Sequence, residues 1–454
     1  MDTDMTKGSP YAHLIKFSIP VLLGTLCQLL YNTVDTMVVG KFVGVGALAA
    51  LGATGSFSYL IIGFGNGLSM GMGIIISQRY GAKDEEGLRK TFAMSMLCSL
   101  LSVIFLTVFG LLFAETMLRM IHTPEDILMD ARDYLMTLYA GLIAVIFYNL
   151  FSTVLRAIGD SKSPLYFLII ASVLNIVLDI FCVTVLGMGV VSVGIATVVS
   201  QMISAVLCIF YMKRKYPFLN PSKEDWKLDL HLCRKLFEMG IPSALMNSLA
   251  AIGCIFMQYP LNRLGTSYIA GFSLGNRVEG YLSAMFPVRG NAVATYTGQN
   301  YGAKDYDRIK KGFMAATVIS LVCVVISTVL GFTCMREAAS IFMSKDTTDP
   351  LVLDTAVLYL HTVSWAWLFA ASVWIFRTGC QGLGAANVPF WSSIAELVMR
   401  CVLCLILPGM LGAVGIVLAG VATWVAAGTV CPIFWYHRMK KVKAEIENAS
   451  AVAA

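Results

Sequence analysis

Asp35 stands in the first long apolar run of the chain, with Tyr31 four residues and Gln28 seven residues before it. Read as a helix, this spacing puts the three side chains on one face. A carboxylate there costs roughly 2.5–3.5 kcal/mol at the centre of a spanning helix on insertion scales, so it must face protein or water. Further along, Asn175 and Asp179 are again four apart, with Ser172 nearly one turn before. Thr197, Ser200, Gln201 and Ser204 make another polar stripe. Three apolar segments thus each offer oxygen ligands, and two of those ligands are carboxylates. Hard oxygens suit Na⁺. A desolvated carboxylate pair also suits a proton, because two like charges held together resist double ionisation. The bland alternative, polar groups that only glue a bundle, is weaker for the two aspartates than for the hydroxyls.

The second half carries a different set. Arg277 and Glu279 share one apolar run, Glu396 and Arg400 are four apart in another, and Arg289 has no local partner. The i,i+4 spacing predicts an internal Glu396–Arg400 ion pair, and arginines lining a cavity would favour anionic cargo. Pro20 removes one backbone hydrogen bond from the helix that bears Asp35, which allows that helix to bend. Gly63, Gly67 and Gly71 recur every four residues and allow close helix approach. No GxGxxG follows a strand and no GxxxxGK[ST] occurs, so ATP hydrolysis is not expected. The five histidines lie near span ends or in loops, and most of the twelve cysteines lie in apolar runs. No metal cluster, cofactor or convergent catalytic set emerges, and the chain is not expected to be an enzyme.

These residues need helices in a bilayer to hold them. Of the residues, 57% are hydrophobic and only 13% charged, with a mean hydropathy of +0.75. A soluble domain carries nearer 25% charge. The net charge of +6 resides in short loops, which argues against nucleic acid. Runs long enough to span occur near 14–39, 47–77, 91–113, 132–155, 165–186, 190–212, 236–261, 268–299, 312–334, 355–377, 389–409 and 412–436. Most of the 33 Lys and Arg fall at the two ends and in every second loop. The intervening loops hold Lys41, Arg119, Arg132, Arg263, Arg336 and Lys345, so both termini are expected in the cytoplasm.

The halves repeat. Tyr80-Gly81-Ala82-Lys83-Asp84 returns as Tyr301-Gly302-Ala303-Lys304-Asp305, and Ile19-Pro20 as Ile241-Pro242. Arg156 aligns with Arg377, and Pro164 then matches Pro389 with a four-residue slip. Six helices per half is an even number, so the repeat is parallel. The expected fold is an all-α integral membrane protein of twelve transmembrane helices in two six-helix bundles. Its divisions are an N-terminal lobe at 1–215, a cytoplasmic connection at 216–235, a C-terminal lobe at 236–440 and a cytoplasmic tail at 441–454.

The run Tyr31-Asn32-Thr33-Val34-Asp35-Thr36, the Tyr80–Asp84 loop, Arg156-Ala157-Ile158-Gly159-Asp160 and the Asn175/Asp179 pair together resemble the multidrug and toxic compound extrusion family, MATE, over nearly the whole chain. Within it the chain looks most like the DinF-type branch, since Met246–Gln258 lacks the acid of NorM-type members. The resemblance implies a coupling-ion site at Asp35, Asn175, Asp179 and Thr197, with supporting roles for Pro20, Gln28 and Tyr31. It implies an antiporter exporting lipophilic, often cationic organic compounds against H⁺ or Na⁺. A flippase for an anionic lipid-linked precursor is the alternative, and it would want further helices and a cavity richer in arginine. The expected setting is the cell membrane, with a small organic substrate and the bilayer as partners. Nucleic acid and ATP are not expected partners, and no metal is expected beyond a coupling Na⁺. The monomer is the expected working form.

Overall fold

The computed structural model describes residues 4–341 and 349–453, and among these every regular element is a helix. In chain order they are α1 Pro10–Val38, α2 Val45–Gly81, α3 Glu85–Met120, α4 Glu125–Ala140, α5 Leu142–Ala157, α6 Lys162–Thr184 and α7 Val191–Lys215. There follow α8 Leu230–Asn262, α9 Thr266–Ser283, α10 Met285–Gly302, α11 Tyr306–Thr333, the short α12 Met335–Ile341, α13 Pro350–Ser364, α14 Trp367–Gly382 and α15 Asn387–Ala453. Eight helices are individually long and apolar enough to span. Several expected spans are helix pairs: α4 and α5 meet at 49°, α13 and α14 at 53°, and the run at 268–299 breaks at Ala284 into α9 and α10. The long α15 is itself two helices, parted at Gly412 by φ 58° and ψ −134°, a backbone that L side chains resist. Counted this way the chain makes twelve spans. The 37 residues of α2 extend to about 55 Å at 1.5 Å per residue, so this helix emerges well beyond a hydrocarbon layer of about 30 Å.

Large apolar side chains are exposed along α3 (Leu101, Phe105, Val108, Leu112) and α11 (Met314, Val318, Val322, Val325). In water such stripes would drive aggregation; against lipid tails they are solvated. Inward faces carry the packing. Ile61, Leu106, Leu135, Tyr139 and Leu142 join one core among α2–α5, and Phe272, Tyr359, Leu360, Trp367 and Ile416 join another in the second half.

The repeat is visible atom by atom. Lys83 and Lys304 adopt φ 56° and 57°, and the following Asp84 and Asp305 cap α3 and α11 by accepting from Gly87 N and Arg308 N, each at 2.9 Å. The sequence alignment of Arg156 with Arg377 does not hold, however. Gly159 N donates to Arg156 O at 2.8 Å, and Gly384 N donates to Gln381 O at 2.8 Å in the matching turn. Gln381 is therefore the counterpart of Arg156. The four extra residues enter before α13, not after α14 as the alignment supposed, because α4 and α13 already start 225 residues apart (Glu125 and Pro350). Lys345, counted above among loop charges, lies outside the described residues.

Two compact units emerge from packing: Met1–Met5 with Ile19–Ser248, and Thr6–Ser18 with Leu249–Ala454. The expected lobe limits at 215 and 236 thus shift, for a physical reason. Within the first unit, α8 lies so close to α2 that a Cβ on Gly67 would stand 2.5 Å from Ser243 O, and one on Gly71 2.4 Å from Met239 O. Leu232 and Leu236 share a core there with Leu68 and Met72. Gly63 makes only ordinary contact, with its carbonyl accepting from Asn247 Nδ2 at 3.1 Å. Replacing Gly71 with Val would push into backbone that cannot yield, and overpacking of this kind costs about 1–3 kcal/mol or more. Thermal unfolding of the purified variant should show a large drop in Tm, whereas Gly63→Ala should leave it nearly unchanged.

Candidate functional site

Within the first unit, α1 and α6 bring their polar faces together. Asp35 is 7% exposed, Asn175 2% and Asp179 0%. With its amide oriented to satisfy both neighbours, Asn175 donates from Nδ2 to Asp35 Oδ1 at 2.9 Å, and its oxygen accepts from Thr197 N at 3.3 Å. Thr197 Oγ1 lies 3.5 Å from the same amide. The carboxyls of Asp35 and Asp179 are within hydrogen-bonding reach of each other. No protein donor reaches either oxygen of Asp179. Two ionised carboxylates could not remain so placed, since neither can donate and both have left water. The arrangement requires a proton between them or a cation beside them.

Tyr31 and Gln28 do share the Asp35 face, with Gln28 in hydrogen-bonding reach of Tyr31. Tyr31, Ser172, Asn175, Thr197, Ser200 and Gln201 line a narrow crevice. Tyr134 of α4, which sequence reasoning passed over, lies in electrostatic range of Asp35, Tyr31 and Asp179. A tyrosine four residues before an apolar Leu138 gives no signal by itself. The hydroxyls of the polar stripe mostly serve packing: Ser172, Ser200 and Ser204 donate to the carbonyls of Leu168, Thr197 and Phe167 at 2.9–3.0 Å. Pro20 is buried in α1, 15 residues before Asp35.

The second-half charges combine differently from the sequence expectation. Glu396 accepts from Arg377 of α14, not from Arg400. A bend between neighbouring helices brings those two together, whereas i,i+4 spacing only permits a pair along one helix. Arg400 Nη2 instead donates to Thr423 Oγ1 at 3.3 Å. Buried Glu279 accepts from Tyr359 OH at 2.5 Å and feels the charge of Arg400. Arg289 Nη2 lies 2.7 Å from Cys323 Sγ, and Arg277 is exposed.

A third buried acid, Asp160, closes the α5–α6 turn. It accepts from Ser163 N at 3.0 Å, from Ser163 Oγ at 2.6 Å and from Tyr216 OH at 2.7 Å, with Lys215 Nζ 3.6 Å away. Burial opposes ionisation here, yet the bonds from Ser163 and Tyr216 together with Lys215 hold the carboxyl below its usual range. A folded-state value below the unfolded one, near 3.9, means the contribution is present above that pH and is lost as pH falls through the folded value. Tyr216→Phe removes one bond to a charged acceptor, worth about 1.5–3 kcal/mol. Thermal unfolding should show that deficit at neutral pH, and it should shrink in strong acid.

Comparison with known proteins places this geometry in context. The MatE family model matches residues 20–181 and again 242–406, one copy in each half. "Probable multidrug resistance protein YoeA" of Bacillus subtilis (strain 168) is 28% identical over 398 residues, 86% of this chain and 85% of the relative. A protein of Shewanella oneidensis named "FAD transporter" is 25% identical over 444 residues, 95% of each chain. The outward-facing structure of a multidrug resistance MATE family transporter of the MOP superfamily superposes with a TM-score of 0.90 at 22% identity, covering 97% of this chain and 98% of that one. This chain is a multi-pass membrane protein and belongs to the MATE family of transporters.

Proposed function

We propose that the protein exports organic small molecules from the cytoplasm in exchange for H⁺ or Na⁺, with Asp35, Asn175, Asp179 and Thr197 holding the coupling ion. The observation that carries this reading is Asp179, fully buried, within reach of Asp35 and without a protein donor on either oxygen. A carboxylate pair so placed must take up positive charge before it can close, and must give it up before it can separate. That is the property a coupling site needs. Direct contact between the carboxyls favours a proton, and the amide and hydroxyl oxygens beside them complete a set that also suits Na⁺. Loading this site alters the balance of charge on α1, where Pro20 lets the helix bend and Gln28 and Tyr31 line the same face.

The similarity to a multidrug resistance protein supports lipophilic, cationic cargo, and the weak FAD-transporter similarity supports a metabolite. The absence of an acid in Met246–Gln258 supports the DinF-like branch. Basic residues in alternate loops support a cell-membrane orientation with both termini in the cytoplasm. On this reading the protein works as a monomer, without ATP or a bound cofactor.

Proteoliposomes loaded with a fluorescent cationic dye test the proposal when ΔpH and ΔNa⁺ are imposed separately. One gradient should drive dye movement and its collapse should stop it. Equal, gradient-independent leakage in both cases would refute antiport.

A further inference from the structure

The internal repeat places a second copy of the ion site in the second unit, and its residues have changed. α6 and the first part of α15 start 225 residues apart (Lys162 and Asn387), so Arg400 occupies the position of Asn175, and Cys404 that of Asp179. Gly194-Ile195-Ala196-Thr197 returns as Gly420-Val421-Ala422-Thr423, so Thr423 occupies the position of Thr197. From the Ile-Pro pair onward, Asp35 corresponds to Met257. The α4–α13 register makes Tyr359 the counterpart of Tyr134.

The contacts repeat with the residues. The Asn175 amide lies 3.5 Å from Thr197 Oγ1, and Arg400 Nη2 lies 3.3 Å from Thr423 Oγ1. Tyr134 neighbours the acids of the first site, and Tyr359 donates to the acid of the second. Both aspartates of the first copy have apolar or thiol replacements, and the single acid, Glu279, arrives from a different helix, α9. Room for the guanidinium comes from Gly253, whose missing Cβ would stand 3.2 Å from Arg400 Nη1. Charge tells the same story: the first copy has two carboxylates and no fixed cation, whereas the second has one of each.

We infer that Arg400 is a tethered cation, standing where the second lobe's copy of the site would otherwise hold a coupling ion, and balancing Glu279. This rests on reading the Asp35 site as the ion site. The second lobe is then permanently loaded, cannot discharge, and takes no part in ion exchange; only the first lobe cycles. Arg→Lys would keep the charge but lose the planar donor set that reaches Thr423.

Removing the tether should recreate a site for a free cation. Full-length protein carrying Arg400→Asn is purified, and thermal unfolding is followed at alkaline pH, where a replacement proton is scarce. Millimolar guanidinium chloride or NaCl is compared with KCl of equal ionic strength. The variant should unfold at a lower Tm than wild type, and guanidinium or Na⁺ should raise it. Wild type and Arg400→Asn/Glu279→Gln should not respond, because in them the positive charge is present or its partner is gone. An Arg400→Asn protein indifferent to both cations would overturn the inference. If Arg400→Asn cannot be recovered folded, the double variant should be, since it carries no uncompensated charge. Failure of both would show that Arg400 acts by shape and overturn the proposal. Because the readout is unfolding, it can fail while the transport reading stands.

Discussion

Asp35→Asn is expected to reduce gradient-driven export to the level of protein-free liposomes while leaving folding and insertion intact. The replacement keeps size and hydrogen-bonding capacity beside Asn175 but cannot take up or release the charge of a coupling ion. Asp179→Asn should have the same effect for the same reason. The two carboxyls act on one ion, so Asp35→Asn/Asp179→Asn should be hardly worse than either single change, the behaviour of groups that work as a unit. Export rates measured under one imposed gradient, normalised to reconstituted protein, decide the matter. Independent, multiplicative losses would assign the aspartates to separate sites, and wild-type rates in either single variant would remove that residue from the coupling step.

Glu396→Gln is expected to have the largest effect on stability in the second half. Glu396 and Arg377 pair across α14 and α15 with side chains only 17% and 10% exposed. Removing the acid leaves the guanidinium buried and uncompensated, a loss of about 3–5 kcal/mol for breaking one side of such a pair. Folded yield and thermal unfolding should both fall. Arg377→Met with Glu396→Gln should restore most of both, because no buried charge remains, and export should return with the folded protein. A double variant that folds well but exports nothing would move this pair from the scaffold into the transport path.

The extent to which the sequence reveals this molecule follows from the range of the forces involved. Apolar runs, basic loops and the Tyr80–Asp84 repeat are local patterns, and they carry the spans, the duplication and the capping turns. Asp35, Asn175 and Asp179 are legible because an acid in an apolar run has few structural excuses. The Glu396–Arg377 pair is not, because its partners lie 19 positions apart on different helices and helical spacing offers a nearer, wrong candidate in Arg400. Tyr134 and Tyr359 are invisible for a related reason: a tyrosine in an apolar helix becomes informative only when the acid it faces is known. The breaks at Gly141, Ala284 and Gly412 interrupt runs whose hydropathy continues unchanged, so composition cannot mark them. The passage of α8's first turns into the first unit rests on Gly67 and Gly71, whose spacing signals close approach without naming the neighbour.

The central claim is that the coupling ion is held by the Asp35–Asp179 pair. Infrared difference spectra of the purified protein test it most directly, recorded in the carboxyl stretching region as the ion that drives export is added and withdrawn. In wild type the ion should change a carboxyl band, and Asp35→Asn and Asp179→Asn should each erase that change. A band change that persists undiminished in both variants would place the ion elsewhere and contradict the account.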